Sequence, residues 1–123
     1  MFKFSACLFI LLAFTSCIGN RKYSPIQYYD FGQTELYDLQ LNIDTFNVEG
    51  PYKERCISRA KDNQLIVKEY QRWAQAPDLL LSHYLKQSFK PGSSLYLSGE
   101  ILTIEHDLMK NEAIFKVIYI TFF

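Results

Sequence analysis

The chain has 123 residues, a length that suits one domain. Its composition, 49% hydrophobic and 21% charged with many Tyr and Phe, supplies a core and argues against long disorder. Basic and acidic residues balance at 13 each, so the chain lacks the basic field of a sequence-independent nucleic-acid binder, and nucleic acid is not an expected partner.

The first predicted element is a targeting segment. Lys3 makes a short basic start, and residues 4–14 form an apolar run of 11 residues. That suits a secretory signal and is too short to span a bilayer, which takes about 20 residues. Ser16 and Thr15 then precede Cys17. Small residues before a cysteine, directly after such a run, resemble the lipobox of bacterial lipoproteins, although Phe14 stands where Leu is usual. The resemblance implies a signal peptide over 1–16, removal of that peptide, and a thioether-linked diacylglycerol on Cys17. An ordinary signal peptide with Cys17 as a free or bridged thiol is the alternative. Two or more acyl chains hold a protein firmly, because each buried CH₂ contributes about 0.8 kcal/mol and a single chain is marginal. Residues 17–25 read as a lipidated tether, and 26–123 as the folded domain. Ile18 follows the cysteine where Asp commonly retains lipoproteins in the inner membrane. The expectation is therefore the outer membrane, facing the periplasm, with the inner membrane as the alternative. Cys7 leaves with the signal, so Cys56 is left as a lone thiol that cannot form a disulfide within the domain.

Residues 27–31 read as a short aromatic strand ended by Gly32. Leu39, Leu41 and Ile43 alternate with polar residues, and then the parity switches to Phe46 and Val48. A strand with a bulge near Thr45 accounts for both patterns. Residues 49–51 read as a turn or a strand end. Residues 52–77 read as strand, turn and strand, with the turn at Asp62-Asn63 and the only Trp, Trp73, near the end. Arg55, Arg59 and Arg72 lie among Tyr52, Tyr70 and Trp73. Guanidiniums stack on aromatic rings and make forked hydrogen bonds, so this group is either a staple of the fold or part of a partner or oligomer surface.

Pro77 and Asp78 open a helix whose apolar face is Leu81, Tyr84, Leu85, Ser88 and Phe89. Pro91-Gly92 marks its end. Residues 95–104 and 113–123 read as a hairpin around a turn at 107–111. The last strand is apolar on both faces, which is usual for a strand central in a covered sheet. If it lies at an edge, it invites pairing with another chain. The expected fold is α+β, a mostly antiparallel sheet with one packed helix.

The central stretch resembles the ABC-type transport auxiliary lipoproteins, the PqiC-like family. Tyr52 and Arg55 match its first motif, Ile57 and Arg59 the second, and Arg72-Trp73-Ala74 the third. Lys53 and Glu54 stand where the family has Leu and Asp, and Gln75-Ala76-Pro77 is looser than its usual Glu-Pro. Residues 28–31 look like the family's opening tyrosine strand, and 102–105 like the strand after its helix. The family usually continues with a further strand and a C-terminal helix, which this sequence lacks. The resemblance implies a non-catalytic, lipid-anchored subunit of a lipid transporter. Such a subunit docks the periplasmic assembly of an MCE-domain substrate-binding protein served by an ABC permease, and it forms a homo-oligomer. A different class of function, a structural envelope lipoprotein that lends its last strand to an outer-membrane machine, fits the same layout.

Motifs for catalysis are missing. The sequence contains no glycine-rich phosphate loop and no nucleophile elbow. Ser82-His83 are neighbours on a predicted helix, which is not triad geometry. Glu105-His106-Asp107 reads as a solvated lead into a turn, and no Cys/His spacing suggests zinc. No enzyme activity, cofactor or metal is expected.

Overall fold

The computed structural model describes residues 22–123, so the predicted signal peptide and Cys17 lie outside the described residues. The elements in chain order are β1 (Gln27–Tyr29), β2 (Asn42–Val48), β3 (Arg55–Arg59), β4 (Leu65–Trp73), α1 (Pro77–Ser88), β5 (Tyr96–Asp107) and β6 (Glu112–Phe122). They form one six-stranded sheet and one helix, an α+β fold. No described helix is long and apolar enough to cross a membrane.

The sheet is built on β5. Along its whole length β5 pairs antiparallel with β6, from Tyr96↔Phe122 to Asp107↔Glu112. Its other edge is shared. β2 pairs parallel with the first half, Asn42↔Tyr96 to Val48↔Ile101, and β3 pairs parallel with the last residues, Ile57↔Glu105 to Arg59↔Asp107. A single 3₁₀ turn, Gly50–Tyr52, steps the chain from one to the other. β4 then pairs antiparallel with β3, and β1 parallel with β4. The sheet is thus mixed, with antiparallel pairs in the majority through the long β5–β6 ladder.

Local sequence explains the main features. The parity switch in β2 is a register shift between Ile43 and Phe46, and it turns Phe46 and Val48 into the core. The strand starts later than the alternation of Leu39 and Leu41 suggests. Leu39 is exposed, and that stretch only bridges Gln40 to Lys90. The β3–β4 hairpin turns at Asp62 and Asn63, with φ of 61° and 60°. Two successive positive φ values match the twist of a tight hairpin, and Asp and Asn tolerate them best among residues with a side chain. At the β5–β6 turn the Asp107 Oδ1 accepts from the backbone N–H of Met109 (2.9 Å) and of Lys110 (3.2 Å). In α1, Pro77 occupies the first turn, and Asp78 Oδ1 accepts from the Leu79 N–H at 3.0 Å.

The helix packs on β2 and β5. The core is Phe46, Val48, Tyr52, Ile57, Leu81, Ile101 and Ile104. Ser88, on the same helical face, is buried because its hydroxyl donates to the Tyr84 carbonyl at 2.8 Å. The segment before β2 is mostly exposed; its later part is tied to the end of α1 by backbone hydrogen bonds, and its start is held by one ring. Phe31 meets Trp73, Tyr84 and Phe115 edge-on, with centroids 6.0, 6.4 and 6.0 Å away. Of the two placements open to the last strand, it takes the edge. β6, apolar on both faces, is an edge strand and largely exposed, because β5 takes its second edge from β2 and β3.

Candidate functional site

Tyr52, Arg59 and Glu105 come together where the 3₁₀ turn, β3 and β5 meet. The pairing Ile57↔Glu105 fixes the level of the two strands, and Arg59 two residues on reaches back to the carboxylate. Arg59 Nε donates to Glu105 Oε1, and Arg59 Nη2 donates to Oε2 at 3.1 Å. Tyr52 Oη donates to the same Oε2 at 3.1 Å. Arg59 Nη1 also donates to the Asn63 carbonyl at 3.3 Å, tying the hairpin turn to the cluster. The Glu105 side chain is 1% exposed and that of Arg59 28%. Forked guanidinium–carboxylate pairs fix geometry as well as charge.

The shifts in proton affinity follow from this packing. Burial, and then the hydrogen bond to Glu105, pushes the Tyr52 phenol above its ordinary value. The hydrogen bond to Glu105 holds the Arg59 guanidinium more firmly protonated, against its own partial burial. Burial pushes the Cys56 thiol up, which makes it a poor nucleophile.

Arg72 and Trp73 belong to a second group. Arg55 lies directly opposite Arg72 across the β3–β4 ladder, and the Trp73 N–H donates to the Glu54 carbonyl at 2.9 Å. Arg72 Nη1 stands 3.5 Å from Glu54 Oε1, but Glu54 is exposed, so this pair contributes little. Arg72 Nε and Trp73 Nε1 are buried without a hydrogen-bond partner. Of the three arginines, Arg59 is therefore the one held by a buried carboxylate. The aromatic partner of Trp73 is Phe31, at 87° between ring planes.

Trp73 also walls an open cleft of about 610 Å³, lined by residues 29–31 and by side chains of β3, β4, β5 and β6. Phe31, Ile57, Trp73, Ile104 and Phe115 give it an apolar lining, and Asp30, Gln71 and His106 supply polar groups. Glu105 also lines it, but its carboxylate is already committed to Arg59 and Tyr52. The volume falls within the range of small-molecule pockets, roughly 300–1,000 Å³.

The sequence singled out Tyr52, Arg55, Arg59, Arg72 and Trp73 as one group. The fold divides them into a buried cluster at Glu105 and a cleft-side group at Trp73. Glu105 is the residue the sequence reading missed. It was expected in a solvated turn with His106 and Asp107, but β5 continues as far as Asp107 and carries Glu105 inside. His106 is exposed, with Nε2 2.9 Å from Asn111 Oδ1, and His83 is exposed on α1. Among the described residues no group of three or more His, Cys, Asp and Glu side chains is placed to hold a metal ion.

Comparison with sequence-family models and with curated proteins finds no match. Solved structures do match. A crystal structure of an uncharacterized protein superimposes with a TM-score of 0.56 at 12% identity, covering 80% of each chain. The crystal structure of protein XCC0632 from Xanthomonas campestris, of family DUF330, gives a TM-score of 0.48 at 10% identity, covering 80% of this chain and 74% of that one. At such identities the likeness to the first concerns the fold alone.

Proposed function

We propose that this chain is a non-catalytic accessory lipoprotein of an MCE/ABC-type lipid transport system. Cys17 anchors it by lipid to the outer membrane, and it docks the periplasmic MCE assembly there. It resembles the PqiC-like auxiliary lipoproteins. One observation carries the reading: the motif residues from Tyr52 to Ala74 fall into two groups that the β3–β4 ladder joins and that both border one cleft. Tyr52 and Arg59 converge on the buried Glu105, and Trp73 with Phe31 forms the wall of an apolar cleft. The lipobox-like Thr15-Ser16-Cys17 supports it independently. On this reading the Arg72–Trp73 side of the cleft contributes to the docking or oligomer surface, and the Glu105 cluster holds that surface in shape.

A second reading, a structural lipoprotein bracing an outer-membrane machine, is favoured by the exposed edge of β6, a ready template for strand addition.

Two variants test the first reading. Cys17→Ser should move the chain from the membrane to the soluble periplasmic fraction; unchanged partition with the membrane removes the anchor. Trp73→Ala should abolish co-purification with an MCE-domain protein or collapse the yield of folded chain. Unaltered complex and yield remove Trp73 from the interface.

A further inference from the structure

The outer edge of β6 carries no partner among the described residues, yet it is built like a strand that has one. Natural edge strands are blunted by proline, bulges, short length or charge. β6 spans Glu112–Phe122 without a proline, and its charges are Glu112 and Lys116 alone. The irregularity in the β5–β6 ladder falls at Leu102 on β5, so β6 itself runs unbroken. Phe115, Ile118, Tyr119 and Ile120 are 47%, 53%, 69% and 61% exposed.

The strand's own sequence indicates what covers it. Outwards from Val117, the neighbours on the two sides are Lys116 and Ile118, Phe115 and Tyr119, Ile114 and Ile120, Ala113 and Thr121. Aromatic matches aromatic, isoleucine matches isoleucine, and small matches small. A strand with that symmetry is complementary to itself when a second copy runs antiparallel. A two-fold axis through Val117 sets each residue opposite its counterpart, the self-complementary arrangement of an isologous dimer. Aromatic and β-branched cross-strand pairs are stabilising, whereas like charges directly opposite are not. Here Lys116 falls opposite Ile118 of the partner subunit, so the two lysines avoid each other.

We propose that β6 pairs antiparallel with β6 of a second copy of this chain, about a two-fold axis at Val117, and joins the two six-stranded sheets into one. The partner copy then contributes to the cleft. Phe115 forms part of its lining, and the register places Tyr119 of the partner subunit directly opposite Phe115. The open side of each cleft at β6 gains an aromatic wall from the other copy. This inference rests on β6 alone and is independent of the transport reading.

Cysteine cross-linking in intact cells tests it with the full chain in a Cys56→Ser background, the same background without an added cysteine serving as the baseline. Directly opposed residues in antiparallel strands have Cα atoms about 4.5–5.5 Å apart, within disulfide reach. Val117→Cys should give a linked dimer on mild oxidation. Chains carrying Ile114→Cys and Ile120→Cys, differently tagged and co-expressed, should link to each other. Ile114→Cys alone should stay at baseline. A Val117→Cys chain that remains monomeric overturns the proposal, and so does 114–114 linkage as strong as 114–120.

A charge pair at one position separates register from folding. In the Val117→Cys chain, Ile118→Lys places the new lysine opposite Lys116 of the partner subunit and should lower the linked fraction at least five-fold. Ile118→Glu meets the same lysine with opposite charge and should retain the dimer. Equal yields from the two variants overturn the register.

Discussion

At the scale of single residues, Glu105 decides the most. Its carboxylate sits inside β5 and accepts from Arg59 and Tyr52. Removing one partner of a buried ion pair leaves the other uncompensated and costs about 3–5 kcal/mol. Arg59 remains partly in water, so Glu105→Ala should fall near the lower end, about 3 kcal/mol, read from the midpoint of urea unfolding. Tyr52→Phe removes one hydrogen bond to a charged group and should cost about 1.5–3 kcal/mol in the same assay.

The Tyr52 cluster also gives a pH dependence. The folded state raises the phenol's proton affinity, so the folded chain holds this proton more tightly than the unfolded one. The resulting stability is fully present below the ordinary tyrosine value of about 10 and is lost as pH rises through the higher folded value. Unfolding midpoints should therefore drop across the alkaline range above about pH 10, and less steeply in Tyr52→Phe. Equal slopes in the two proteins would remove Tyr52 as a source of that loss. Tyr52 and Arg59 were legible in the sequence because a motif marks them. Glu105 was not, because the run Glu105-His106-Asp107 is as polar as a turn, and only the pairing with β3 reveals that the strand continues.

At the scale of elements, β5 is the crowded one. Gly99 faces Phe46 across the parallel β2–β5 pair. A Cβ there would lie 2.6 Å from the Ile118 carbonyl oxygen and 2.8 Å from Phe46 Cε1. The phenyl ring covers the glycine, and the backbone of β6 closes the remaining space. Gly99→Ala forces either the ring or the β5–β6 ladder to shift. It should destabilise by about 1–3 kcal/mol, the usual range for overpacking, in thermal or urea unfolding. A variant as stable as the parent would mean that the ladder yields freely. Several elements were legible from local signals: the β3–β4 turn at Asp62-Asn63, the β2 parity switch, and α1 from Pro77 onwards. The start of β2 was not. Leu39 and Leu41 alternate like a strand, but the stretch that carries them is held by contacts with the end of α1, such as the Leu41 N–H to the Lys90 carbonyl at 2.9 Å. Nothing in the alternation distinguishes a strand from an extended strap.

For the whole molecule, composition and pattern were enough for the α+β class and the single packed helix, but not for the sheet order. Two strands sharing one edge of β5 in parallel is a long-range arrangement that no local signal encodes. The same arrangement leaves β6 at the rim, although its two apolar faces suggested the centre. An exposed apolar edge and an apolar cleft beside it suit a protein that works by contact with a partner.

That account is tested most directly by the identity of the partner. The full chain, tagged at its C-terminus, would be cross-linked in living cells and recovered from the envelope, and the captured proteins identified by mass spectrometry. The account predicts an MCE-domain protein as the dominant species, with much less of it captured by the Trp73→Ala chain. Capture of an outer-membrane β-barrel in its place, with no MCE-domain protein above background, would contradict it.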